Sequence, residues 1–106
     1  MQRVGFVLKV KQDLIDEYTG RHREVWPEML DALRDAGWEN YTLFMRADGT
    51  LFGYFETPES FNAALEGMSR HAINDEWQAE MSRFFEGSGG PADEMMEHLV
   101  EVFHLD

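Results

Sequence analysis

Residues 39–60, "ENYTLFMRADGTLFGYFETPES", carry the reading that decides the fold. Glu39 to Arg46 reads as one strand and Leu51 to Glu56 as another. Asp48-Gly49 between them is a strong turn signal, so the two strands form a hairpin. Thr57-Pro58-Glu59 then reads as a helix start, with Thr57 as cap and Pro58 at the first helical position. A hairpin that leads straight into a helix needs a partner strand and a partner helix to complete a sheet with one covered face.

The flanks supply both. Before the hairpin, Val4, Phe6, Leu8 and Val10 alternate with Arg3, Gly5, Val7 and Lys9, which is a strand. Asp13 reads as an N-cap, with Asp16 and Glu17 in the first helical turn. Ile15, Tyr18, His22, Val25, Trp26, Met29 and Leu33 follow at steps of three and four, one face of a helix. Gly20 weakens its middle. Pro27 lacks an amide hydrogen and clashes with the preceding turn, so a kink or break is expected just before it. Gly37 reads as the C-cap glycine. After the hairpin, a short helix passes through Phe61, Ala64, Leu65 and Met68. Another presents Ile73, Trp77, Met81, Phe84 and Phe85 on one face. "EGSGGPADE" (86–94) reads as a flexible loop, and "HLVEVFHL" (98–105) as the last strand.

The order strand, helix, strand, strand, helix, strand is the split βαβ pattern of a ferredoxin-like fold. The expectation is one α+β domain over residues 1–106, an antiparallel sheet with helices on one face. The last strand carries apolar residues on both sides: Val100 and Val102 on one, Leu99, Phe103 and Leu105 on the other. That predicts burial of both sheet faces, which a symmetric homodimer pairing two sheets into a dimeric α/β barrel would provide. No internal repeat and no linker interrupts the chain.

Composition narrows the partners. Nine Lys and Arg stand against 21 Asp and Glu, a formal net charge of −12. Nucleic-acid binders need a basic footprint to neutralise phosphates, and anionic membrane surfaces repel such a chain. A neutral small molecule such as a sugar is compatible. With no cysteine, disulfides, thiolate catalysis and Cys-based zinc sites are excluded. The N-terminal stretch has no signal-peptide apolar core, and no run approaches the ~20 apolar residues of a membrane span. The expected location is the cytoplasm.

Few residues carry obvious chemistry. His22 lies one helical turn after Tyr18 on the inward face, and an imidazole there can move a proton near neutral pH. Spacing alone leaves this open against a structural histidine bonded to a backbone group, with the structural reading ahead. His71, His98 and His104 read as surface or edge histidines, and no HExxH or similar ligand spacing points to a metal. The aromatic residues Tyr18, Trp26, Trp38, Tyr41, Tyr54 and Trp77 read mostly as core. Yet the C–H face of a pyranose also stacks on Trp or Tyr, and Tyr18, Tyr41 and Trp77 come from different elements that can converge on one cleft. Asp75 and Glu76 read as solvated helix charges. The glycine run 87–90 lacks the context of a phosphate cradle.

Four blocks together resemble one family. "EYTGRHREVWPEML" (17–30) is similar to the hallmark of L-rhamnose mutarotases, with Tyr, three residues, His and then a Trp-Pro-Glu run. "GWENYTLF" (37–44), "DEWQAEM" (75–81) and "EVFHLD" (101–106) resemble that family's later segments in the same order. The resemblance spans essentially the whole chain. It implies a homodimeric ferredoxin-like enzyme, an isomerase of the racemase and epimerase type. Such an enzyme interconverts the α and β anomers of L-rhamnose without a cofactor. Carried over by position, it implies His22 as proton donor and Tyr18, Tyr41 and Trp77 as substrate-binding residues. Members often carry two adjacent tryptophans on the third helix. Here the first position is Glu76, a further candidate substrate-binding residue that can accept hydroxyl hydrogen bonds but cannot stack on a sugar, and the segment before that helix differs in length from some members. A related deoxy-sugar therefore stays open beside L-rhamnose. The competing readings are a cofactor-free monooxygenase or small isomerase of the same architecture, or a sugar-binding domain without catalysis.

Overall fold

The computed structural model of the chain describes residues 1–85 and 96–106. The expected loop 86–94, with its glycine run, lies outside them.

Strands β1 (Gln2–Lys9), β2 (Glu39–Met45), β3 (Thr50–Thr57) and β4 (Glu97–Leu99) form a four-stranded antiparallel sheet in the order β2-β3-β1-β4. This is the order that the split βαβ pattern requires. The hairpin closes at the predicted turn: Gly49 N donates to Arg46 O at 3.0 Å, and Asp48 Oδ1 accepts from Thr50 N at 3.0 Å. The alternation read in β1 is realised. Val4, Phe6, Leu8 and Val10 are buried, and they share one face with Leu51 and Phe55 of β3.

Helices α1 (Ile15–Arg23), α2 (Pro27–Asp35), α3 (Phe61–Ser69) and α4 (Ala72–Met81) cover that face. Their buried residues Tyr18, Met29, Ala32, Ala64, Met68, Trp77 and Met81 join the strand residues in one core cluster. The break before Pro27 is present, with α1 ending at Arg23 and Pro27 opening α2. Gly37, at φ +86°, follows α2 as expected. Its N–H bonds Arg34 O while Trp38 N–H bonds Leu33 O, the paired bonds of a Schellman ending.

Three expectations need correction. Asp13 caps no helix: the chain enters through a 3₁₀ turn, Gln12–Leu14, and α1 begins at Ile15 without a side-chain cap. Thr57 does not start α3. It remains paired with Gln2 in the sheet and is buried, and the helix begins only at Phe61. Ser60 takes the cap, its Oγ accepting from Ala63 N at 3.1 Å. The last strand is three residues long and not eight, pairing only with Gly5, Phe6 and Val7. Beyond it Val100, Val102, Phe103 and Leu105 are exposed, with none of the described residues covering them.

The second face of the sheet is open in the single chain. Phe44 and Phe52 are direct cross-strand partners on that face, and Phe44 is 65% exposed. Among the described residues no helix is long and apolar enough to cross a membrane.

Candidate active site

A cavity of about 350 Å³ lies between the helices and the β2 side of the sheet, within the size range of small-molecule pockets. Its apolar wall comes from residues such as Leu33, Leu43, Leu65, Met68 and Met96. Against that wall stand His22 from α1, Tyr41 from β2, and Asn74, Trp77 and Gln78 from α4.

His22 occupies the last turn of α1, and the helix ends there because the Trp26-Pro27 step cannot continue it. The ring packs over Tyr18 with centroids 4.2 Å apart and meets Trp77 edge-on at 5.5 Å. Its Nδ1 lies 3.0 Å from Tyr18 O. A carbonyl only accepts, so Nδ1 carries the hydrogen and Nε2 is left with the lone pair. Burial pushes the imidazole below its ordinary pKa, opposed by the bond to Tyr18 O. At neutral pH the ring is therefore uncharged, with Nε2 ready to take a proton.

Tyr18 lies beneath His22, buried, with Phe84 and Phe85 edge-on to its ring. It does not line the cavity. Tyr41 does. A one-residue bulge lies between Glu39 and Thr42, with Asn40 at φ +51°, and beyond it Tyr41 shares the covered face with Leu43 and Met45 by strand alternation. Burial raises both phenol pKa values, so each hydroxyl stays protonated and able to donate. Trp77 is buried with Trp26 edge-on at 5.0 Å. Its indole closes the cavity beside His22.

Glu76 is exposed and outside the cavity lining. Successive helical residues point about 100° apart, so a Trp77 that faces inward turns Glu76 away. The other histidines lie elsewhere. His71 pairs with Asp35 at 3.0 Å, His98 packs on Phe61, and His104 meets Asp106 at 3.0 Å. Among the described residues no three His, Asp or Glu are placed to hold a metal ion. Sequence reading missed Asn74 and Gln78. Their signal was available, since they sit at i and i+4 around Trp77 on the inward face of α4.

The arrangement is a largely apolar pocket with a proton-accepting imidazole and an indole wall at one side. The comparisons with known proteins agree on what such a chain resembles. A family model described as L-rhamnose mutarotase matches residues 3–105. The L-rhamnose mutarotase of Oceanobacillus iheyensis is 35% identical over the full length of both chains. The chain belongs to the L-rhamnose mutarotase family. That of Lactiplantibacillus plantarum is 34% identical, again over the whole of each chain. The crystal structure of a Formosa agariphila L-rhamnose mutarotase superposes with a TM-score of 0.81 over all of both chains at 23% identity. That likeness confirms the ferredoxin-like architecture. Membership of the mutarotase family favours this reading over the monooxygenase and the non-catalytic binding domain, which share the architecture but not the whole-chain match.

Proposed function

We propose that this enzyme interconverts the α and β anomers of L-rhamnose, free in the cytoplasm and without a cofactor, with His22 moving the proton. The observation that carries the reading is the geometry of His22: a neutral ring at the cavity, Nδ1 held by Tyr18 O at 3.0 Å. Mutarotation opens the hemiacetal, rotates the aldehyde and recloses the ring. The two oxygens involved sit on the same carbon, so one ring nitrogen can serve both. Nε2 takes the proton of the anomeric hydroxyl as the C=O forms. The imidazolium so made returns that proton to the ring oxygen as the C–O bond breaks. Closure onto the other face runs the same steps in reverse. The donor role expected of His22 is thus filled by the imidazolium formed within the cavity.

Tyr18 orients His22 from below. Trp77 offers an apolar face to the C–H side of the pyranose, and the protonated Tyr41 hydroxyl is a donor for a sugar oxygen. Two copies pair through the open sheet face, where Phe44, Phe52, Leu99 and the apolar tail would be covered.

Exchange between the two anomeric proton signals in NMR tests the proposal. Removing a positioned acid–base group typically loses 10²–10⁴-fold. His22→Ala is expected to fall in that range with an unchanged circular dichroism spectrum. Unaltered exchange in a folded variant refutes the role of His22.

A further inference from the structure

We infer that Asn74 is a specificity-determining residue of this cavity, its side-chain amide donating a hydrogen bond to a hydroxyl of the pyranose. The inference rests on the mutarotase reading. Among the described residues only Thr57 and Asn74 are buried polar side chains, and Asn74 is 3% exposed. Gln78 Nε2 donates to Asn74 Oδ1 at 3.1 Å. That bond fixes the amide plane and commits the oxygen, which leaves the Nδ2 hydrogens directed away from Gln78.

Two facts fix what Nδ2 meets. Among the described residues it has no hydrogen-bond partner, yet none of their side-chain nitrogens or oxygens is both sealed off and unpaired. Nδ2 therefore opens into the cavity that Asn74 lines. A buried amide with idle donors is costly unless something accepts from it. The rest of the wall is mostly apolar, so in the empty cavity only water can accept from Nδ2, and a ligand that displaces this water has to bring an acceptor of its own. The helix adds to the argument. Asn74, Trp77 and Gln78 share the inward face of α4, while Asp75 and Glu76 are exposed. Trp77 meets the C–H face of the sugar, and Asn74, one turn earlier, meets a hydroxyl. Hydroxyl recognition from α4 thus falls to Asn74 and not to Glu76.

Steady-state anomer exchange by NMR reads this out. The sugars are L-rhamnose and analogues lacking the hydroxyl at C2, C3 or C4. Asn74→Asp keeps the shape and the oxygen that Gln78 holds, and replaces the donor. Asn74→Ala removes the group. Each variant is expected to raise KM for L-rhamnose about tenfold while kcat at high pH stays in place, the sign of lost uniform binding; the pH profile stays in place in Asn74→Ala, which adds no charge beside His22. With one analogue the penalty should vanish, since the hydroxyl it answers is gone. A merely structural role would raise KM for every sugar alike. Equal penalties across all three analogues, or folded variants with unchanged KM, overturn the inference. So does a wild-type enzyme that handles all three analogues as well as L-rhamnose, a measurement that needs no variant. A wild-type chain that accelerates no anomer exchange overturns the mutarotase reading, and this inference with it.

Discussion

Phe6 packs directly over Gly53 in the core, and that close approach sets a quantitative test of how this fold is packed. Phe6 of β1 and Gly53 of β3 are cross-strand partners on the covered face. A Cβ added at residue 53 would lie 2.1 Å from Phe6 Cζ and 2.5 Å from both Cε atoms. Carbon atoms rest at about 3.5–4.0 Å, so the ring must retreat by roughly 1.5 Å. It has nowhere to go. Phe6 is 0% exposed, with the rings of Tyr41, Phe55 and Phe61 at centroid distances of 6.2, 6.3 and 6.4 Å. Overpacking of this kind costs about 1–3 kcal/mol. The narrower unfolded ensemble of alanine returns about 0.4–1 kcal/mol. Gly53→Ala should therefore lose about 1–2 kcal/mol, a large share of the roughly 5–15 kcal/mol that holds a domain together. In urea the midpoint should fall by about 1 M with an unchanged slope. Phe6→Leu removes the ring atoms responsible, so the double variant should lose less than the sum of the singles, a coupling of about 0.5 kcal/mol or more. An unchanged midpoint for Gly53→Ala, or strictly additive singles, would refute the packing argument.

Two further predictions concern the site and the assembly. The folded pKa of His22 lies below its ordinary value because of burial, and in the proposed mechanism the neutral ring is the competent form. Catalysed exchange should be constant at high pH and fall as pH drops through that lowered pKa, below about 6.5; a profile that falls on the alkaline side contradicts the assignment. The stability sign follows from the same shift. Between the folded pKa and about 6.5 the unfolded chain binds the extra proton, so this group destabilises the fold as pH falls through that window, and His22→Gln should show a shallower loss there by chemical denaturation. For the assembly, light scattering on the chromatographic peak at micromolar concentration should give twice the 12.4 kDa of one chain; a monomer rules out the paired sheets.

Much of the fold was legible because its signals are local. Alternation in β1, the Asp48-Gly49 turn and the break at Pro27 are each set by a few neighbouring residues, and all appear where the sequence places them. What failed depended on competition between local and distant partners. Thr57 is a good cap by type, but the ladder to Gln2 claims it first, and Ser60 takes the role. The final strand has an apolar pattern over eight residues, but only Gly5–Val7 of β1 pair with it. The site was legible in part. His22, Tyr41 and Trp77 meet at the cavity, with Tyr18 directly behind. The bulge beside Tyr41 has no sequence signal beyond an asparagine tolerant of positive φ. Asn74 and Gln78 looked like ordinary helix polar residues, since only the depth of α4 in the core makes them lining groups.

Two opposing forces act on His22, and their balance suits a group that must hold a proton only briefly. Burial disfavours the imidazolium and keeps Nε2 free at neutral pH. The Tyr18 carbonyl pulls the other way, accepting from Nδ1, and so does the C-terminal end of α1, where exposed carbonyls favour a cation. Burial alone would leave a ring too reluctant to accept a proton. The carbonyl and helix end alone would hold one at rest, with nothing left to take from the anomeric hydroxyl. Because burial wins while the carbonyl remains in place, the charged form is disfavoured in the resting site yet supported once it appears. The break at Pro27 is what makes this possible. It ends α1 at Arg23, which puts His22 in the final turn, close enough to Tyr18 O to be held and half-buried against Trp77. The same short stretch that interrupts the helix therefore tunes the proposed proton carrier.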